Sequence, residues 1–191
     1  MKMQTKNLVG IGLFTAIVVI LQLLGTPLKL GMFAGAIALL PIVIGAALYG
    51  WKAGVWLGFA FGCTVLLSGD AAPFLAISIP GTILTVLAKG SACGAVAGLT
   101  HKALEKTNKT LAAYAAAILA PVANTGIFAL GCYLFFYQEL ATWNAGIPTP
   151  HANTTAYIFL TLCGVNFLTE LGLSILLAPV ITRLIQIGKK Q

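Results

Sequence analysis

Long apolar runs almost free of charge dominate this chain of 191 residues, and they decide what it can fold into. Only 8% of residues are charged and 59% are hydrophobic, with a mean hydropathy of +0.99. A soluble domain carries about 25% charge, so too little polar surface exists here to cover a globule in water. The solvent is lipid. A membrane-crossing helix with its share of loop takes roughly 30 residues, which allows about six spans. A soluble enzyme, a separate soluble domain and a large two-halved carrier are excluded.

The runs predict an all-α bundle of six transmembrane helices in one integral membrane domain, 1–191, with helices at about 8–24, 30–49, 53–67, 81–100, 110–137 and 156–187. Gly25-Thr26-Pro27, Gly50-Trp51-Lys52 and Ser68-Gly69-Asp70 break the first three runs. The hydrophilic segment HKALEKTNK (101–109) breaks the fourth, and a polar loop over 138–155, with Pro148 and Pro150, breaks the fifth. Between the third and fourth lies 71–80, with two prolines, apolar but without clear helical character. The start, MKMQTKN before an apolar run, mimics a signal peptide. It lacks a small-x-small cleavage site and further spans follow, so it is expected to stay as the first helix.

Eleven Lys and Arg against four Asp and Glu give a net charge of +7. The cations sit at the ends of apolar runs, where they set orientation. No basic groove with interleaved aromatics is present, so no nucleic-acid partner is expected. One side of the bundle would hold nine cations (Lys2, Lys6, Lys52, Lys102, Lys106, Lys109, Arg183, Lys189 and Lys190), the other only Lys29, with Asp70 and Glu139 as solvated loop charges. Both termini are therefore expected in the cytoplasm, with 69–80 and 138–155 facing outward.

Gly54, Gly58 and Gly62 recur every four residues, as do Gly90, Gly94 and Gly98. Four residues advance about 400° around a helix, so each set forms a stripe along which another backbone can approach. Packing within the bundle is the expected use, and docking of a membrane partner is the alternative. Gly12 and Ala16 make a similar pair on the first helix. The four cysteines, Cys63, Cys93, Cys132 and Cys163, lie far apart in apolar stretches without a CxxC pair, and read as small buried hydrophobes.

Ionisable residues at membrane depth are costly and are functional candidates by default. Lys89 falls roughly 12 Å into the fourth span and Glu170 roughly 21 Å into the sixth, at about 1.5 Å per residue. Asn166 sits one turn from Glu170 on the same face. Asn124 follows Pro121, whose missing N–H frees a carbonyl near the middle of the fifth span. Structural alternatives exist for each: an ion pair between Lys89 and Glu170, a lysine reaching outward, or asparagines as interhelical glue. The functional reading is a small-ligand pocket open to the outside, with Lys89 receiving an anionic group and the amides holding hydroxyls or an amide. Ser78 and Thr82, at the start of the fourth helix, are either rim contacts or ordinary caps.

Enzyme chemistry has little to work with. His101 and His151 fall in polar loops on opposite sides and cannot share a metal, and no HExxH, P-loop, intramembrane-protease serine motif or Asp-rich phosphotransfer motif is present. Of four carboxyl groups only one lies at depth, so acid–base or metal catalysis is not expected. Asn153-Thr154-Thr155 matches a glycosylation sequon, a short and unspecific pattern.

The block LPIVIGAALYGWKAGVWLGFAFGCTVLL (40–67) resembles the second and third helices of the substrate-binding (S) components of energy-coupling factor (ECF) vitamin transporters. In layout the resemblance covers nearly the whole chain. Gly12 and Ala16 stand where that family has an Ala-xxx-Ala-like docking motif, with Gly here in place of the first Ala. The resemblance implies a multi-pass protein of the bacterial plasma membrane that captures a vitamin from outside under a lid formed by 25–31 and 69–80. It also implies a transmembrane coupling protein and two ATPase subunits as partners; they use the ATP, and this chain needs no cofactor of its own. One Lys with two Asn suits a small monoanion bearing hydroxyl and amide groups. Pantothenate is the best match, and the segments SIPGTILTVLAKG and LAPVANTGIF lean the same way. A riboflavin- or other vitamin-specific S component remains an alternative. So do a self-sufficient facilitator or channel, and a membrane scaffold or intramembrane enzyme.

Overall fold

In lipid an apolar run has no hydrogen-bond partner for its backbone except itself, so each of these runs folds as a helix. The computed structural model describes residues 5–25 and 32–188, and all regular structure within them is helical. In chain order the helices are α1 (Thr5–Gly25), α2 (Met32–Tyr49), α3 (Trp51–Ser68), the short α4 (Ala72–Ile77), α5 (Ile79–Leu104), α6 (Lys109–Gly146) and α7 (Thr154–Gly188). A π-helical turn interrupts α6 at Cys132–Phe136 and α7 at Ile158–Gly164. Among the described residues five helices, α1, α3, α5, α6 and α7, are long and apolar enough to cross a membrane, and α2 adds the apolar stretch Ile37–Tyr49.

α2 sits at the centre, packed by α1, α3, α5 and α7. That position explains its apolar character on all sides. Ala38, Leu39, Ile42, Val43 and Ala46 are each at most 1% exposed. Outer helices invert the pattern: Val9, Leu67, Leu134, Leu168 and Leu176 are at least 67% exposed, as expected of side chains that face hydrocarbon.

The glycine stripes of α3 and α5 face one another. A Cβ on Gly54 would overlap the Gly94 carbonyl, one on Gly58 the Gly90 carbonyl, and one on Gly62 the Val86 carbonyl. The stripes thus serve internal packing, and the α3–α5 contact is one of the two most extensive between helices. Gly50 (φ 91°) and Gly69 (φ 88°) bound α3 with left-handed backbone that other residues rarely adopt.

Several boundaries differ from the sequence expectation. Segment 71–80 is helical on both sides of a break: Pro73 opens α4, Pro80 opens α5, and Ser78 between them caps α5. Proline suits the first turn because its missing N–H has no helical partner there. The fifth helix runs to Gly146, so the expected loop over 138–155 shrinks to 147–153. Asn144 pins that loop: its Nδ2 donates to the His151 carbonyl (3.1 Å) and its Oδ1 accepts from the His151 amide (2.9 Å). Asn153 of the sequon caps α7, its Oδ1 accepting from the Ala156 amide at 2.8 Å. His101 is not in a loop; α5 continues to Leu104 and buries it, with Nδ1 3.6 Å from Glu105 Oε2.

Leu48 would contact a Cβ on Gly188, and Trp51 one on Gly98. The helix ends that carry Lys52, Lys102, Lys109 and Arg183 therefore gather at one end of the bundle. Lys2, Lys29, Lys189, Lys190 and the expected lid 25–31, apart from Gly25, lie outside the described residues, as does the start of the predicted second span.

Candidate functional site

Polar residues buried in a helix bundle need partners, and here they collect at one place. A cavity of about 360 Å³ lies between α1, α3, α5, α6 and α7, under α4. Its volume falls at the low end of the range for small-ligand pockets, about 300–1,000 Å³. Lys89 from α5, Asn124 from α6, and Asn166 and Glu170 from α7 all line it.

Glu170, 2% exposed, is the anchor of the polar wall. The Asn124 Nδ2 donates to both carboxylate oxygens at 3.2 Å, and the Asn166 Nδ2 donates to Oε1 at 2.8 Å. Pro121 lies inside α6 three residues before Asn124. Asn166 and Glu170, four apart on α7, share a helix face by simple periodicity.

Lys89 is held differently. Its Nζ sits 4.9 Å from the centre of the Phe128 ring, a cation–π arrangement. Among the described residues no acidic oxygen lies within 4.0 Å of it. Lys89 and Glu170 thus share a cavity without forming an ion pair.

Ser78 and Thr82 lie elsewhere. The Ser78 Oγ accepts from the Gly81 amide at 3.3 Å, and the Thr82 Oγ1 donates to the Ser78 carbonyl at 2.7 Å. Both serve the start of α5, and neither lines the cavity. Gly12 and Ala16 lie on the exposed face of α1, where a Cβ on Gly12 would meet nothing within 4 Å.

Other lining residues escaped the sequence reading. Gln22, 2% exposed on α1, carried the same signal as Asn124, an amide inside an apolar run, and was not singled out. Its Nε2 donates to Asp70 Oδ2 at 2.6 Å, and the Ser68 Oγ donates to the same oxygen at 2.9 Å. Asp70 is thus a structural tie at the cavity mouth as well as an exposed charge. Phe61, Phe74 and Phe128 supply apolar wall. Phe74 fastens α4 to α6, its ring 5.5 Å from Phe128, 5.1 Å from Phe136 and 5.8 Å from Trp143. No periodicity marks such residues, because three helices have to meet before their rings share a wall. Among the described residues no group of three His, Cys, Asp or Glu could hold a metal ion.

A half-open, mostly apolar cavity with a few convergent polar groups has the form that small-ligand pockets take. In the comparisons with known proteins, the family described as "ECF transporter, substrate-specific component" matches residues 6–182. No curated protein and no solved structure matches the chain. Since the family match spans all but the ends of the sequence, the chain belongs to the substrate-specific components of ECF transporters, membrane subunits that bind a small-molecule substrate and work with an ECF module.

Proposed function

We propose that this subunit captures a small water-soluble vitamin with one carboxylate from outside the cell, and that pantothenate is that vitamin. The observation that carries the reading is Lys89, a cation in the cavity wall with no acidic oxygen within 4.0 Å among the described residues. A ligand carboxylate answers that charge in a setting where charge-assisted hydrogen bonds are strong. Phe61, Phe74 and Phe128 pack against the aliphatic part of the ligand.

In the full reading the chain spans a bacterial plasma membrane six times with both termini in the cytoplasm. The cavity then opens outward beside Asp70, at the end away from the cluster of Lys and Arg. Gly12 and Ala16 present a small-residue surface to a transmembrane coupling protein, and two ATPase subunits supply the energy. This chain binds no cofactor.

The aromatic walls favour a second reading, a flat-ringed vitamin such as riboflavin, which has no use for Lys89. Native mass spectrometry of the detergent-purified subunit, followed by titration with a vitamin panel, separates the two. Stoichiometric pantothenate supports the first and riboflavin the second. A protein that stays empty through the panel overturns capture and favours a facilitator.

A further inference from the structure

The cavity wall holds a hydrogen-bonding group that no described residue answers. A carboxylate offers only acceptors, so the bonds to Glu170 commit the Asn124 NH₂ and turn its Oδ1 away from that carboxylate. The Asn124 Oδ1 is buried and finds no partner among the described residues, and the same is true of the Oγ1 of Thr125, the next residue in α6. Both residues line the cavity, and Asn124 is only 2% exposed. Buried acceptors are costly to leave unpaired. Glu170 adds two further acceptor oxygens beside them, held in place by the asparagines. Lys89 lies on a different helix and offers only donors.

We infer that Asn124 and Thr125, with Glu170 beside them, form an acceptor pole that selects a ligand carrying O–H donors at the end away from its anionic group. Lys89 anchors the anion and the acceptor pole reads the other end of the molecule. This rests on the capture reading and adds a specificity rule to it. An anion without a donor leaves the Asn124 Oδ1 stranded, and a site built around such a bond rejects the analogue that lacks it.

The test compares pantothenate with its analogue in which both hydroxyls are replaced by fluorine, which keeps the size and the amide N–H and removes both O–H donors. Affinities are measured calorimetrically on the detergent-purified full chain, for the wild type and for Thr125→Val, which keeps the shape and removes the hydroxyl. The wild type is expected to bind the fluorinated compound about 10- to 100-fold more weakly than pantothenate. In Thr125→Val that ratio narrows through loss of pantothenate affinity alone. Equal binding of the two compounds by the wild type overturns the acceptor pole, as does an unchanged ratio in the variant, while leaving capture intact. If another vitamin from the panel binds instead, the same pair of measurements is made with it and its donor-blocked derivative, and the same two outcomes decide. Binding of no vitamin overturns both readings together.

Discussion

Glu170 and Lys89 carry opposite charges in one cavity, yet the protein answers them unequally. Two asparagine amides hold the carboxylate, whereas Lys89 has an aromatic ring beside it and no ion pair among the described residues. Their substitutions should therefore separate binding from stability. Lys89→Ala removes a cation that forms no ion pair among the described residues, so the fold should persist. Affinity for an anionic vitamin should fall by about 10- to 100-fold, the scale of one charge-assisted hydrogen bond. Calorimetry and thermal unfolding on one preparation check both halves; unchanged affinity would reduce Lys89 to a structural part. Glu170→Leu should lower the unfolding midpoint itself, because it strands two amides, each costing about 1–3 kcal/mol when buried without a partner. Glu170→Gln keeps an acceptor and should fall between the wild type and Glu170→Leu. All four residues of this cluster were legible in the sequence, because a strongly polar side chain in an apolar run stands out on its own. Gln22 shows the same signal from a helix that the sequence reading assigned to docking.

At the scale of elements, α3 and α5 depend on the absence of side chains. Gly58→Ala puts a Cβ into the Gly90 carbonyl, and neither backbone can move without opening the stripe. Overpacking costs about 1–3 kcal/mol, so this variant should unfold at a clearly lower temperature. Gly126→Ala in α6 is the control: nothing lies within 4 Å of its Cβ, and alanine favours a helix interior by roughly 1 kcal/mol over glycine. It should unfold at or above the wild-type midpoint. A Gly58→Ala midpoint at or above the wild type, like that of Gly126→Ala, would show that helix propensity, and not the α3–α5 contact, governs the response. The sequence revealed the two stripes but not their pairing, since a stripe of glycines suits any backbone that approaches it. Boundaries near 71–80 and 138–146 were misread for a local reason. The first segment hides a short helix that Pro73 opens, and the second continues a helix through polar residues that composition assigns to a loop.

For the whole molecule, we propose that the distribution of Lys and Arg orients the bundle. Reporter domains fused at the C-terminus or within 105–108 should report the cytoplasm, and one inserted in the loop 147–153 should report the outside. The reverse pattern would turn the cavity mouth inward and rule out capture from outside. Gly12 and Ala16 lie on an exposed face of α1 and do not line the cavity. Gly12→Leu or Ala16→Leu should leave vitamin binding unchanged while reducing co-purification with the coupling subunit. Assembly that survives both changes would move the docking surface off this face.

The sequence by itself determined the solvent, the helical class, the charge asymmetry and which polar residues fall inside apolar runs. Each of these depends on composition or on spacing within a single run. Only the tertiary structure decided that Lys89, Asn124, Asn166 and Glu170 line the same cavity, that Ser78 and Thr82 belong to a helix cap, and that Gln22, Asp70 and Thr125 join the wall. A hydrogen bond between Asn124 and Glu170 joins residues 46 apart. Helix periodicity fixes which face of its own helix a side chain occupies, whereas its neighbour across the cavity depends on how the helices pack.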